Sequence, residues 1–444
     1  MDKQICLSCM REYDGDGPCP HCGFELADYK APAHHLRPGT VLAGKYMVGR
    51  AIGAGGFGIT YAAWDQNLET KVAVKEFFPD GFVARDGSMT KTVTVLPRRE
   101  SDFYQKGQER FVDEARRLAK FADLPGIVSV KDYFQENNTA YIVMEYAEGQ
   151  TLKAVLRQQP HGRMDTEIVL AMMEPVMDSL EQVHQAGLIH RDISPDNLMV
   201  DDRGRVKLLD FGSARAFVAD GQKSLSVMLK PGYTPEEQYR SRGSQGPWTD
   251  VYALCATIYR AITGRMPPES LERRGEGNDN LKRPSKMGVS IRPAQEEALL
   301  KGLAVYKEDR IQSIGELRAM LNIEELRPTD DDDPVITDYR RTDSGKTKFG
   351  KTEFGKTDVE KTGQENFEQT KYDGTIEAPS EQDIAGKSGR KRERGIPWGE
   401  DRICCIDRGD PLSAGADEGL KNGLNQETGI CYDQNSSDRR GAQS

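Results

Sequence analysis

Apolar positions change their rhythm along the chain, and the changes mark out its modules. Between Lys45 and Glu325 short apolar runs bounded by Gly and Asp come first and longer helical periodicities follow. This is the stretch able to bury a large core. Tyr46 to Tyr61 reads as a strand, a glycine turn and a second strand, since Ile59-Thr60-Tyr61 and the residues after it favour extended backbone. Lys71-Val-Ala-Val-Lys75 predicts another strand, and the spacing of Phe111, Leu118 and Phe121 predicts an amphipathic helix over 111–121. The longest apolar segments, Ile168–Leu180 and Val251–Thr263, are interrupted by Glu174 and Pro175 or by Arg260 and fall short of the ~18 residues a membrane span needs. Residues 1–30 hold four cysteines and read as a very small module, and 31–44 reads as a linker. Beyond Arg327-Pro328 the apolar pattern is lost, so 326–444 is expected to be a disordered, acidic and Thr-rich tail.

Composition sharpens this division. A chain of 444 residues allows about three modules, and its hydrophobic fraction of 37% suits a globular body joined to a polar part. With 61 Lys plus Arg against 71 Asp plus Glu, the net charge is −10, which argues against a nucleic-acid partner. The start, Met1-Asp2-Lys3-Gln4-Ile5-Cys6, lacks an apolar secretory region, so a cytoplasmic location is expected, where disulfides are rare. The eight cysteines then need another account.

Cys6-x-x-Cys9 and Cys19-x-x-Cys22 supply one. Four thiolates close a tetrahedral Zn²⁺ shell, and in so short a segment the metal supplies the folding energy that a core cannot. A redox Cys-x-x-Cys is the competing reading, but it expects one pair inside a thioredoxin-like unit. His21 is an alternative ligand within the second knuckle. A closed shell of four leaves no position for catalysis, so the zinc is expected to be structural.

Chemistry concentrates in the central stretch. Glycines 53, 55 and 58 let a backbone approach a triphosphate closely, with Gly56 and Phe57 at the loop tip. A dinucleotide fold uses similar glycines, but there they open a helix, whereas here a strand follows. Lys75 supplies an ammonium, and the helix carrying Glu114 could present a carboxylate to hold it; a plain surface charge is the alternative for Glu114. Farther on, Asp192 can accept a hydroxyl proton, while Asn197 and Asp210, five and eighteen residues later, offer hard oxygens suited to Mg²⁺.

In motif order and spacing, residues 45–325 resemble the eukaryotic-type Ser/Thr protein kinases of bacteria. The resemblance implies an α+β, bilobal protein-kinase fold, with a small, mostly β N-lobe and a larger helical C-lobe. It implies ATP and Mg²⁺ or Mn²⁺ as cofactors, protein Ser or Thr hydroxyls as acceptors, and nucleotide contacts from Gly53, Gly55, Gly56, Phe57, Gly58, Ala73, Lys75, Met144, Glu145 and Ala147. Lys75 with Glu114 would orient the nucleotide, Asn197 with Asp210 would hold the metal, and Asp192 would position the hydroxyl. Glu237 would pair with Arg310, Asp250 would brace the catalytic loop, and His190 would be a packed core residue. Forkhead-associated proteins, which read phosphothreonine, are implied partners, and a homodimer is implied for autophosphorylation. The alternative is a nucleotide-binding pseudokinase scaffold.

The sequence departs from that family in places. Ser194 stands where the family carries a catalytic-loop Lys, and Lys230 stands where its activation segment carries Thr. The two residue types have exchanged places. Lys230 is therefore expected to deliver the missing ammonium while Ser194 takes over the hydrogen bond to Asp192; an exposed loop lysine is the competing reading. Thr60 replaces a Val over the adenine, and about 38 residues separate Lys75 from Glu114, longer than usual, so the insertion beginning Phe77-Phe78-Pro79 is expected to pack on the small lobe and hold the helix. Lys-Thr pairs recur every five residues from Lys346 to Thr362. Thr342, Thr347, Thr352, Thr357 and Thr362 are expected to be autophosphorylated, with Ser224 and Ser226 as the alternative sites. Arg390–Arg394 looks like the flank that relatives place before a membrane helix, but polar sequence follows; an altered reading frame from about Trp398 is the expectation.

Overall fold

The computed structural model describes residues 4–15, 17–86, 90–97, 101–211, 229–240, 243–275 and 279–322. The chain divides into units Met1–Lys351 and Thr352–Ser444, and every described residue belongs to the first. The tail threonines, Ser224, Ser226 and the segment after Trp398 therefore lie outside the described residues.

Two short strands, β1 (Gln4–Ile5) and β2 (Glu12–Tyr13), pair antiparallel across the first cysteine knuckle. A six-stranded antiparallel sheet follows, in the order β3 (Val41–Leu42), β4 (Tyr46–Gly55), β5 (Gly58–Asp65), β6 (Thr70–Phe77), β10 (Thr139–Glu145) and β9 (Val130–Glu136). The insertion forms a small hairpin, β7 (Val83–Ala84) with β8 (Thr94–Val95), and helix α1 (Ser101–Leu118) comes next. The helix starts earlier than its clearest periodicity because Phe103 and Tyr104, set among polar neighbours, are buried against the insertion.

That insertion does hold the helix. Rings of Phe82 and Phe103 lie 5.4 Å apart, and Phe77 stands 5.5 Å from Tyr104 and 5.4 Å from Phe111. Each fully buried Phe contributes roughly 1.5–3 kcal/mol of apolar transfer. A polar knot ties the same region together. The buried Arg85 guanidinium forks onto Glu76, and Glu76 also accepts from the hydroxyls of Tyr61 and Tyr141. Arg85 donates further to the carbonyl of His34 at 2.9 Å, and the Leu36 amide donates to Tyr61 Oη at 3.1 Å. Residues 34–36, inside the expected linker, are thus fastened to the sheet, and that sheet already begins at Val41 because β3 pairs with β4.

The second lobe carries β11 (Gln150–Thr151), β12 (Leu198–Val200) and β13 (Val206–Leu208) in one small sheet, with helices α2 (Leu152–Gln158), α3 (Thr166–Gln185), α4 (Pro247–Thr263), α5 (Pro293–Gly302) and α6 (Ile314–Leu321). The apolar segment Val251–Thr263 is the heart of this lobe, buried at nearly every position of α4. Asp165 and Ser313 cap α3 and α6 by accepting from the amides of Glu167 and Glu316, satisfying donors that a helix start leaves free. Gly264 ends α4 with φ at +73°, a left-handed position that favours glycine.

Candidate active site

The cleft between the lobes is floored by cross-strand rows. Ala62 pairs with Ala73 and Ala73 with Met144, while Thr60 pairs with Lys75. Because side chains alternate across a strand, Ala73 and Lys75 share one face of β6 and Glu76 points to the other, into the Arg85 knot. Met144 is buried, and Glu145 and Ala147 follow it at the end of β10. Glu145 accepts from the Ser129 amide and from Lys207, fixing the hinge against β13. At the glycine loop, added Cβ atoms would meet nothing within 4 Å at Gly53, Gly55 and Gly56, whereas at Gly58 a Cβ would run into the Glu76 carbonyl. A side chain is thus forbidden at Gly58 by the strand beneath it, and the other glycines leave the loop face bare, a cradle suited to phosphate. The tip is pinned as well: Phe57 and Gly56 carbonyls accept from the amides of Phe78 and Asp80 at 3.0 and 2.9 Å.

Below the cleft, the catalytic loop hangs on Asp250. This carboxylate on α4 accepts from the amides of His190 and Arg191, both at 2.7 Å, and from His184 Nε2 at 2.8 Å. Burial would push its carboxyl up, but these donors hold it below the usual carboxylate range. Arg191 takes φ of +68°, a strained position that two amide bonds to one carboxylate can enforce. His190 is fully buried and sits as expected in the core. Its Nε2 donates to the Leu209 carbonyl and its Nδ1 accepts from the Asp192 amide, a pairing assigned from the partners that requires neutral imidazole. Burial correspondingly lowers its pKa.

Asn197 Nδ2 donates to the Asp192 main-chain carbonyl and to Asp192 Oδ2 at 2.8 and 2.9 Å, leaving its Oδ1 as an acceptor. Asp210, with φ of +49°, forms an ion pair with Lys75 at 2.8 Å. Burial works against ionisation of Asp210, yet the Lys75 charge and hydrogen bond, with the Lys230 charge behind them, hold its pKa below the ordinary value. Two hard oxygen donors, Asn197 Oδ1 and the Asp210 carboxylate, are the donor set a Mg²⁺ ion accepts. Lys75 departs from expectation: it pairs with Asp210, not with Glu114, because the Asp210 carboxylate lies directly against the ammonium. Glu114 remains on α1, half-buried.

Lys230 reaches into the same place. Its backbone is locked by a turn in which the Lys230 amide donates to Thr234 Oγ1 and the Lys230 carbonyl accepts from the amides of Tyr233 and Thr234. Its Nζ stands 2.8 Å from Ser194 Oγ and 3.2 Å from the Asp192 carboxylate. Ser194 is fully buried. The hydroxyl therefore meets the ammonium, and the expected Ser194 contact to Asp192 runs through Lys230 instead. Beyond the loop, Arg310 and Glu237 form a buried ion pair at 2.8 Å, with Thr249 donating to the same carboxylate.

At the N-terminus the thiols of Cys6, Cys9, Cys19 and Cys22 all lie within 4.8 Å of one another. Cys6 and Cys22 are 3.6 Å apart and Cys9 and Cys19 are 3.8 Å apart. A tetrahedron with 2.3 Å metal–sulfur bonds has edges of about 3.8 Å, so these thiols fit Zn²⁺. His21 turns away, its ring bonded to the Glu12 carbonyl.

Sequence reading did not find the Glu76–Arg85 knot or the His184 contact to Asp250. The signal for Glu76 was present in Lys75-Glu76-Phe77-Phe78, an acidic residue alternating onto the apolar face of a strand; nothing local marks Arg85 or His184.

The family model for the protein kinase domain matches residues 46–299. Among curated proteins, the chain is 35% identical over 239 residues to serine/threonine-protein kinase PknA of Mycobacterium tuberculosis, covering 52% of this chain and 49% of that protein. It is 33% identical over 230 residues to serine/threonine-protein kinase PrkC of Bacillus subtilis, covering 52% of this chain and 32% of that protein. The chain thus spans about half, or less, of the curated relatives it matches. A solved structure titled PpkA-294 apo form aligns with a TM-score of 0.57 and 35% identity, over 65% of this chain and 99% of that one. With the loop anchored on Asp250, the bare glycine turn and the Asn197 and Asp210 side chains all inside the matched residues, this chain belongs to the protein kinase family.

Proposed function

We propose that this chain is an active protein Ser/Thr kinase whose catalytic-loop charge comes from the activation segment. The observation that carries this reading is Lys230 Nζ at 2.8 Å from Ser194 Oγ and 3.2 Å from Asp192. Bound Mg²⁺-ATP would supply the phosphoryl group and the divalent charge. Lys75 and the glycine loop would orient it, and Asn197 and Asp210 would hold the metal. Asp192, its carboxylate fixed by Asn197, would align the acceptor hydroxyl and take its proton, while Lys230 compensates charge accumulating on the transferring group. Because Lys230 belongs to the activation segment, activity would require that segment to be folded against the catalytic loop.

The reading extends to the whole chain. The four thiols would hold a structural Zn²⁺, the tail threonines, tethered at high effective concentration, would be autophosphorylated, and phosphothreonine-reading forkhead-associated proteins would be the partners. No helix among the described residues is long and apolar enough to cross a membrane. One observation favours a nucleotide-binding scaffold instead: Lys75 engages Asp210 rather than Glu114. Transfer of label from γ-labelled ATP to a generic protein acceptor, by wild type beside Asp192→Asn, separates the two. Transfer lost in the variant supports the kinase; a wild type that binds ATP and transfers nothing supports the scaffold.

A further inference from the structure

The cysteine module touches the kinase sheet at β4, and that strand leads into the phosphate loop. The β4–β5 register shifts between Val48 and Ala51, which places Gly49 and Arg50 in a bulge. There the Arg50 amide donates to the Leu7 carbonyl at 2.7 Å, and Arg50 Nε donates to Ser8 Oγ at 2.8 Å. The approach at Gly49 is close, since a Cβ there would collide with the Leu7 carbonyl and the Met10 methyl. Met10 itself is buried. On the other side, the Ser8 amide points at Cys6 Sγ at 3.4 Å. Leu7 and Ser8 are the residues between the thiols of the first knuckle, so their positions follow from whatever closes that knuckle. Gly53, first of the phosphate-loop glycines, lies three residues beyond Arg50.

We propose that Arg50, Ser8 and Leu7 are positioning residues for the nucleotide: the metal-closed knuckle clamps the β4 bulge and thereby sets the height of the phosphate loop over the cleft. A bulge is a place where a strand bends, and a second register shift, between Ala51 and Gly53, carries the irregular stretch on from Arg50 to the first glycine of the phosphate loop. A metal-loaded ribbon presents the Leu7 carbonyl and the Ser8 hydroxyl in fixed positions. An open ribbon does not, because so small a module has no core to hold the turn. The ribbon's role is then more than its own folding: it tunes ATP affinity from the outer face of the sheet, without touching ATP.

The inference rests on the kinase reading, and the test separates the two. Full-length wild type, Arg50→Met, Ser8→Ala, the double variant and Cys9→Ser are compared for bound zinc, for ATP Kd by calorimetry, and for KM and kcat in peptide phosphorylation. Removing the Arg50–Ser8 bond should weaken ATP about five-fold in both Kd and KM, with zinc content and peptide KM as in wild type and kcat changed less. Arg50→Lys should recover part of the loss. Ser8→Ala should act in the same direction, and the double variant should be no worse than Arg50→Met alone. Cys9→Ser should lose zinc and weaken ATP at least as much. Wild-type ATP affinity in Arg50→Met and Ser8→Ala, or in a zinc-free Cys9→Ser that remains folded, overturns the proposal. Phosphotransfer missing from wild type strikes the kinase reading alone, since the Kd comparison still decides this one.

Discussion

Replacing Lys230 by Met removes a charge while keeping most of the side-chain volume. The ammonium is partly buried, 28% exposed, and lies 3.2 Å from the carboxylate expected to align the acceptor hydroxyl. A unit charge about 4 Å from the transferring group, at the effective dielectric of ~20 suited to a partly buried site, is worth about 4 kcal/mol. Loss of one such stabilising group from other active sites costs about 10²–10³ in kcat, a similar size. The expected outcome is therefore a fall in kcat of about 10²–10³ with ATP KM changed no more than about three-fold, because the charge is needed chiefly in the transition state. The assay is steady-state phosphorylation of a peptide, with a melting curve to show that the variant is folded. A second variant tests the exchange itself: adding Ser194→Lys to Lys230→Met returns the ammonium to the catalytic loop and should recover about ten-fold or more of the loss. Turnover of Lys230→Met equal to wild type would refute the reasoning outright.

The buried knot gives a stability prediction. Arg85→Met leaves Glu76 buried without its cation and should destabilise the chain by about 3–5 kcal/mol in a denaturant titration, whereas Arg85→Met with Glu76→Leu should cost clearly less than the two single changes added together. Additive losses would show that the two side chains do not act as a pair. A pH prediction comes from His35, whose Nδ1 is buried with no hydrogen-bond partner among the described residues. Burial first, then the charges of His34 and Arg85, lower its pKa from 6.5 to about 4. The folded state thus binds this proton less readily than the unfolded chain, so stability falls as pH drops from 6.5 toward 4, with a slope up to about 1.4 kcal/mol per pH unit. His35→Gln should flatten that limb of the Tm-against-pH curve; an unchanged limb would clear His35 of the effect.

Much of this molecule is written in local sequence. The glycine turn between two strands, the Lys75 strand, the Asp192, Asn197 and Asp210 spacing and the paired knuckles each depend on residues near one another in the chain, where backbone preference and ligand spacing act directly. The exchange of Ser194 and Lys230 was legible as a mismatch of residue types, and Lys230 does lie beside Ser194. What the sequence left open depends on which distant groups meet. Lys75 pairs with Asp210 across 135 positions, Arg85 with Glu76 inside an insertion that no motif describes, and Arg50 with Ser8 across 42 positions. Such pairings are decided by the closing of the sheet and the packing of the two lobes, because a buried charge settles on the partner that the fold delivers to within bonding distance. The sequence by itself determined which chemistry the chain carries; only the tertiary structure decided which ammonium faces which carboxylate.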